Sequence, residues 1–254
     1  MYTIVTPVYN CEKYIARAIE SVLCQEHSDY RMIVIDDIST DKTWDIIESY
    51  VDGEKVIGVK NTEKKFALRN FYDTIWELPD EDVVVHLDGD DQLLGPNVLN
   101  TLDTVYSNED TWITYGSFEY DYESRNPDPS ASPRGFMTAL PPDRHNRTFP
   151  WVCTHLRTHK AWLFKRINKD DLFFNGTFYN KAIDLAIMWP MVEMAGPQHA
   201  KFIWEALYLY NAVNPNNESK RKLEENQLTP QQEIDLSVDH ILSRPIYKTI
   251  QKEM

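Results

Sequence analysis

The sequence predicts an α/β protein built on a mainly parallel sheet covered on both faces. Short β-branched runs alternate with segments whose apolar residues recur at helical spacing over roughly the first 118 residues. The runs near 2–6, 30–35 and 83–87 each end abruptly in polar or acidic residues. The composition, 42% hydrophobic and 26% charged over 254 residues, is that of an ordinary globular chain with a sizeable core.

Each element has a local reason. Tyr2 to Thr6 reads as a strand stopped by Pro7, and Asn10 as the cap of a helix carrying Ile15, Ala18, Ile19, Val22 and Leu23. Tyr30 to Ile35 is a second strand ending in Asp36-Asp37. Ser39-Thr40-Asp41 offers caps for a helix through Tyr50. Lys55 to Val59 is a third strand, and a polar loop leads to a helix over Phe66 to Glu77. The next strand, from Val83, runs into Asp88-Gly89-Asp90-Asp91. Pro96 suits the first turn of another helix, and Trp112 to Phe118 is a further strand. Right-handed crossovers place the Thr6-Pro7, Asp36-Asp37 and Asp88 to Asp91 ends on one edge.

The later half is less regular. Residues 119–150 hold Pro127, Pro129, Pro133, Pro141, Pro142 and Pro150 and read as a long loop, suited to a mobile lid. A helix near His159 to Ile167, a helix over Ala182 to Ala195 and a strand over Lys201 to Leu209 follow, then a charged, partly helical end. The expected organisation is a first half over 1–118, a second over 119–214 and a C-terminal extension over 215–254.

Asp88, Asp90 and Asp91 are the chemical centre of this pattern. Unpaired charge is too costly to bury, so the cluster belongs in a crevice at the carboxyl end of its strand. Close carboxylates call for a cation, and hard oxygen ligands suit Mg²⁺, Mn²⁺ or Ca²⁺. An EF-hand is excluded, because Leu93 and Leu99 stand where that loop needs Gly and Glu. The net charge of −14 argues against a nucleic-acid partner and against anionic lipid. No signal peptide or membrane-spanning run is legible. Cys11, Cys24 and Cys153 fit a reducing compartment and match no zinc spacing. A cytoplasmic location is expected, with peripheral contact to a membrane as the alternative. His86 and His199 border strands and read as structural.

Four stretches in series, Thr6-Pro7-Val8-Tyr9-Asn10, Val34 to Asp41, Ala67-Leu68-Arg69-Asn70 and Leu87-Asp88-Gly89-Asp90-Asp91, closely resemble the family 2 glycosyltransferases of the GT-A fold. The resemblance continues more weakly through Ile183-Asp184-Leu185 and Leu207 to Asn211. It implies a metal-dependent, inverting transfer of a sugar from a nucleotide sugar, with a UDP-sugar as the expected donor, to a hydroxyl of a glycan or other acceptor. Thr6, Pro7 and Tyr9 would line the base and ribose, Asp37 would accept the uracil imide proton, and Arg69 would face the diphosphate. Asp88 and Gly89 would lie against the ribose. Asp90, with Asp91 as second ligand, would hold Mn²⁺ or Mg²⁺. His155 and Arg157 match a segment that a subset of the family places near the sugar diphosphate. Asp184 stands at the position of the catalytic base, with Asp170, Asp171 and Glu193 as rivals. Ile183 departs from the family's usual Glu. Two other readings carry less support: a sugar-phosphate nucleotidyltransferase, which would want a glycine-rich loop after the first strand, and a binding module without activity. A homo-oligomer formed through the C-terminal extension is a further expectation.

Overall fold

The computed structural model describes residues 1–121, 138–214 and 229–251. The first half alternates as its periodicity requires: β1 (Tyr2–Val8), α1 (Ile15–Leu23), β2 (Tyr30–Asp36), α2 (Thr43–Tyr50), β3 (Val56–Lys60), α3 (Phe66–Trp76), β4 (Val83–His86), β5 (Gln92–Leu93), α4 (Val98–Tyr106) and β6 (Ile113–Tyr120). The second half contributes β7 (Thr158–Lys160), α5 (Ala161–Phe164), a hairpin of β8 (Phe173–Phe174) and β9 (Thr177–Phe178), α6 (Ile183–His199), β10 (Ala200–Tyr210) and α7 (Pro230–Ser243).

Eight strands form one sheet in the order β3-β2-β1-β4-β7-β6-β10-β5, so both halves of the chain share it. The pairs β1–β2, β1–β4, β2–β3 and β6–β10 are parallel, whereas β7 runs antiparallel to both β4 and β6. One apolar layer holds Ile4, Ile15, Ile19, Met32, Val85 and Leu99; the other holds Leu68, Phe71, Val84, Leu163, Ile187 and Trp189. A buried sheet between two such layers explains the near-continuous apolar strands.

Several local expectations are corrected. Pro7 lies inside β1, opposite Ile35 of β2. The Val5 carbonyl accepts from Leu87 on the β4 side, so Pro7, two residues on, faces the same side, where β4 has already ended at His86. Its missing N–H therefore falls where the β1–β4 ladder ends. Asn10 does not cap α1, which starts at Ile15. With φ 53° its carboxamide accepts from Thr40 N–H at 2.8 Å, tying the loop after β1 to the loop after β2. Pro96 precedes α4, which begins at Val98. The helix expected from His159 is instead β7 followed by the short α5, because three residues are too few to show strand alternation. α6 continues past Ala195 to His199, through a break at Gly196 (φ 61°, ψ −174°).

The long loop divides. β6 carries the chain to Tyr120. The lid expectation for 122–137 lies outside the described residues. Residues 138–150 are anchored: Leu140 N–H donates to the Tyr115 hydroxyl at 2.9 Å, and Arg147 is buried. The Arg147 guanidinium grips Glu193 of α6 through Nε and Nη2, both at 2.8 Å, and gives Nη1 to the Ile241 carbonyl of α7 at 2.7 Å. Tyr247 N–H adds a further bond to Glu193 at 3.0 Å.

Candidate active site

Parallel strands bring their carboxyl ends to one edge. Here β1, β2 and β4 deliver Tyr9, Asp37 and the Asp88–Asp91 turn. The turn presses on β1: a Cβ on Gly89 would lie 2.3 Å from Val8 Cγ1, so only glycine fits. Because β7 runs the other way, its beginning reaches this edge. The Arg157 carbonyl accepts from His86 N–H at 3.1 Å, and the guanidinium turns into the cluster. The end of β10, paired to β5, brings in Tyr208. The first turn of α6 brings in Asp184.

Arg157 sits between two carboxylates, with Nη2 3.7 Å from Asp88 and Nη1 3.4 Å from Asp184. It also approaches His155 Nδ1 at 3.3 Å. The His155 ring stacks on Tyr208, 4.3 Å between centroids and 13° from parallel. Arg157, Asp88 and Asp184 border a narrow cleft of about 10 Å³, room for a single water or one hydroxyl group. Its polar wall is His86, Asp88, Arg157 and Asp184; Phe71, Ile183, Ile187 and Met188 make the rest.

Burial pushes the Asp184 carboxyl up, and the Arg157 charge partly offsets this. Asp184 is not the cap of α6: the helix boundary is Ala182, in the left-handed region, and makes no side-chain cap. The rival acids lie elsewhere. Glu193 is committed to Arg147, Asp171 pairs with Arg244 and Tyr247, and Asp170 is exposed on a 3₁₀ turn.

The acids of the turn divide their work. Asp91 is buried; its carboxylate accepts from the Tyr208 hydroxyl at 2.6 Å and from Asn211 N–H at 2.7 Å. Burial, followed by Asp90 and Asp88, pushes it well above the ordinary carboxylate range. Asp90 accepts from the Asn214 amide at 2.7 Å, and burial raises it to about 6. Ligand atoms of Asp88, Asp91 and His155 all lie within 4.8 Å of one another. Two carboxylates and an imidazole, with like charge accumulated at the turn, suit a hard or borderline divalent cation. Asp90, favoured from sequence as the primary ligand, is not in this group; Asp88 and His155 are.

The nucleotide-side residues are also redistributed. Asp37 is buried, with Oδ1 accepting from Asn61 and Lys65 N–H, both at 2.8 Å, and Oδ2 from Phe66 N–H at 2.9 Å. Lys64 Nζ stands 3.3 Å from Oδ2 and 3.1 Å over the centre of the Tyr9 ring. Burial pushes Asp37 up, but these donors outweigh it and hold the carboxyl below its ordinary value. A base imide would therefore compete with protein donors already in place. Thr6 is fully buried, so its side chain cannot touch a nucleotide without rearrangement. Arg69 is half-exposed and pairs with Glu63 at 3.1 Å. It faces a second, open pocket of about 460 Å³ that also takes in Lys64, Lys65 and Lys169. The structure thus gathers Asp88, Asp91, His155, Arg157 and Asp184 in one place, and sets Arg69 in another. Tyr208, Asn211, Asn214 and Lys64 went unassigned in the sequence, because only the crossing of β10 over the acid turn and of the loop before α3 over Asp37 reveals them.

Behind the cleft, His86 and His159 face each other with their Nε2 atoms 2.9 Å apart. Burial holds His86 well below the ordinary imidazole value and His159 at about 4.

Comparison with known proteins bears on the fold and the family. The Bacillus subtilis putative teichuronic acid biosynthesis glycosyltransferase TuaG is 34% identical over 92 residues, 36% of each chain. The Escherichia coli UDP-Glc:alpha-D-GlcNAc-diphosphoundecaprenol beta-1,3-glucosyltransferase WfaP is 39% identical over 67 residues, 26% of each chain. These matches span about a third of the relatives' length or less. S. aureus TarS 1-349 in complex with UDP-GlcNAc superposes with a TM-score of 0.63 at 14% identity, covering 97% of this chain and 68% of that one. The mannosyltransferase PcManGT of Pyrobaculum calidifontis, in complex with GDP-Man and Mn2+, gives 0.58 at 14% identity, covering 85% and 58%. At these identities the likeness shows the fold, which is GT-A. The model of the glycosyl transferase family 2 matches residues 3–172, about two thirds of the sequence, and the chain belongs to that family.

Proposed function

We propose that this chain is an inverting glycosyltransferase that uses a divalent metal, takes a UDP-sugar and passes the sugar to a hydroxyl of a glycan or related acceptor. The observation that carries the reading is the Asp88–Arg157–Asp184 array at the mouth of a cleft beside the acid turn. In a direct displacement the acceptor hydroxyl loses its proton as it attacks the anomeric carbon. Asp184 is the carboxylate placed to take that proton, at the start of a helix that favours negative charge. Arg157 holds Asp184 in register with Asp88 and keeps its carboxyl from rising further. Asp88, Asp91 and His155 would hold Mn²⁺ or Mg²⁺. Such an ion supplies counter-charge for the departing nucleoside diphosphate. Tyr208 orients two of these ligands, donating to Asp91 and stacking on His155.

The donor class draws support from the UDP-GlcNAc bound to TarS and the UDP-Glc in the name of WfaP. The GDP-Man bound to PcManGT makes a guanine nucleotide the alternative, and the occupied acceptor positions of Asp37 leave the base choice to the neighbouring backbone and Lys64. The teichuronic acid biosynthesis in one relative's name supports a glycan as acceptor class. Among the described residues no helix is long and apolar enough to cross a membrane.

Incubation with UDP-glucose, UDP-GlcNAc or GDP-mannose, with Mn²⁺ or with chelator, tests the reading through thermal shift and release of nucleoside diphosphate. A UDP-sugar with Mn²⁺ should stabilise the protein by about 2.7 kcal/mol at 100 times its dissociation constant. Equal release in chelator would remove the metal, and no stabilisation by any donor would remove the transferase reading.

A further inference from the structure

The cleft beside the acid turn contains a polar side chain that the proposed mechanism leaves idle. His86 is 4% exposed, ends β4, and lines the same cleft as Asp88, two residues further on. Its ring stacks on Phe71, 4.4 Å between centroids and 23° from parallel, which fixes the ring plane.

Hydrogen bonding fixes the tautomer. His159 Nδ1 lies 2.9 Å from the Lys160 carbonyl, which can only accept, so Nδ1 carries the proton. His159 is fully buried, and among its described contacts none is a carboxylate, so a charged ring there would be costly. The neutral ring has a lone pair on Nε2. His86 Nε2, 2.9 Å away, must then donate to it. His86, itself buried, keeps a lone pair on Nδ1. The chain from the Lys160 carbonyl through His159 thus leaves an acceptor on Nδ1 of a residue that lines the cleft.

The surroundings define what this acceptor could meet. Phe71, Ile187 and Met188 supply no hydrogen-bonding group except thioether sulfur, and Asp88 and Asp184 are acceptors. Arg157 is the donor there; its terminal nitrogens are shared among Asp88, Asp184 and His155, and its Nε is buried away from the cleft. The cleft therefore asks its occupant for O–H or N–H groups. Asp184 lies at its rim, and in the proposed reaction that carboxylate stands beside the transferred sugar. We propose that His86 is a specificity-determining residue of this transferase, accepting through Nδ1 a hydrogen bond from one hydroxyl or amide N–H of the sugar being transferred. This rests on the donor reading above.

Calorimetric titration with Mn²⁺ present tests it without knowledge of the acceptor. The ligands are UDP, the best-bound UDP-sugar and its analogues deoxygenated at one ring position each. The wild-type protein should lose about 5- to 100-fold in affinity at one position, because the analogue leaves a buried acceptor unpaired. His86→Gln keeps a donor for His159 but places no atom at Nδ1. It should erase that loss at the same position only, with UDP affinity and melting temperature unchanged. His86→Asn places an amide oxygen near Nδ1 and should retain part of the discrimination. Three outcomes overturn the proposal: no sensitive position in the wild type, the same sensitive position undiminished in His86→Gln, or a parallel loss of UDP itself. The first is read on the wild type alone, so it stands even if a variant fails to fold. A wild type that binds UDP but gains nothing from any attached sugar also overturns it, while one that binds no nucleotide removes the donor reading beneath it.

Discussion

Replacing Asp184 by Asn separates chemistry from architecture. The change removes a negative charge, keeps the side-chain size and leaves the boundary of α6 at Ala182 untouched. As general base, Asp184 should contribute roughly 10²–10⁴-fold to turnover, which is about 2.7–5.5 kcal/mol of transition-state stabilisation. The effect on stability is small and has opposing parts. Burial raises the folded-state pKa of Asp184, so the fold gains from its protonation below the ordinary carboxylate value and loses that gain as pH rises through the raised one. A neutral Asn therefore removes a liability at pH 7. Against this stands a lost charge at a helix N-terminus, about 0.3–1 kcal/mol, and the unpairing of one side of Arg157. The net change should stay within about 1 kcal/mol, a shift in melting temperature of roughly 2–4 °C for a chain of this size. Single-turnover transfer, donor affinity by calorimetry and a melting curve read the three quantities apart. Turnover within threefold of wild type would refute the assignment, and a collapse of donor binding in step with turnover would make Asp184 a binding residue instead.

The transfer rate should fall on acidification with an apparent pKa above the ordinary carboxylate range, as Asp184 takes up its proton, and the pH–rate profile of kcat checks this. Arg157→Lys should lower transfer more than donor affinity, because a single ammonium cannot hold Asp88 and Asp184 together; equal losses in both would count against the bridging role. Arg147→Met leaves Glu193 a buried charge held by two backbone N–H groups, those of residue 147 and Tyr247, and should destabilise the fold by about 3–5 kcal/mol in urea titration. The double variant Arg147→Met with Glu193→Met should recover most of that loss. Asp37→Ala should loosen the start of α3 by removing the acceptor for Lys65 and Phe66 N–H, so its melting temperature should drop even without nucleotide. A loss confined to UDP affinity would restore Asp37 to base recognition. Gly89→Ala should impair folding, since the added methyl meets Val8 at 2.3 Å.

Much of the first half was legible because its signals are local. Alternating runs, abrupt acidic strand ends and short connections gave β1 to β4 with boundaries within about two residues, and placed Asp37 and Asp88 on one edge. What was not legible depends on pairing between distant segments. β7 has three residues, too short for a period, and only its neighbours β4 and β6 make it a strand. Arg157 was visible as a motif, yet its ties to Asp88 and Asp184 needed the reversed direction of that strand. Asp90 and Asp91 are adjacent in sequence and equivalent in type. What distinguishes them is Tyr208, Asn211 and Asn214, more than a hundred residues away. The prolines of 138–150 pointed to a loose loop, whereas the buried Arg147 ties that stretch to Glu193 and the α7 backbone.

The place of β7 in the strand order also bears on synthesis. β4, every residue of it buried in the finished sheet, has β1 on one side and β7 on the other. Some seventy residues are translated between β4 and β7, several seconds of elongation at ordinary speeds. During that interval a nascent Val83-Val84-Val85 strand would present an unpaired apolar edge, open to pairing with a neighbouring chain. The acidic turn just beyond it works against such pairing, because two copies paired in parallel would set Asp88, Asp90 and Asp91 against their counterparts, and an antiparallel pair centred on Val84 would set Asp88 against Asp80. The same carboxylates that equip the finished protein for ligand chemistry would thus guard its unfinished edge on the ribosome, until Arg157 and β7 arrive to cover it.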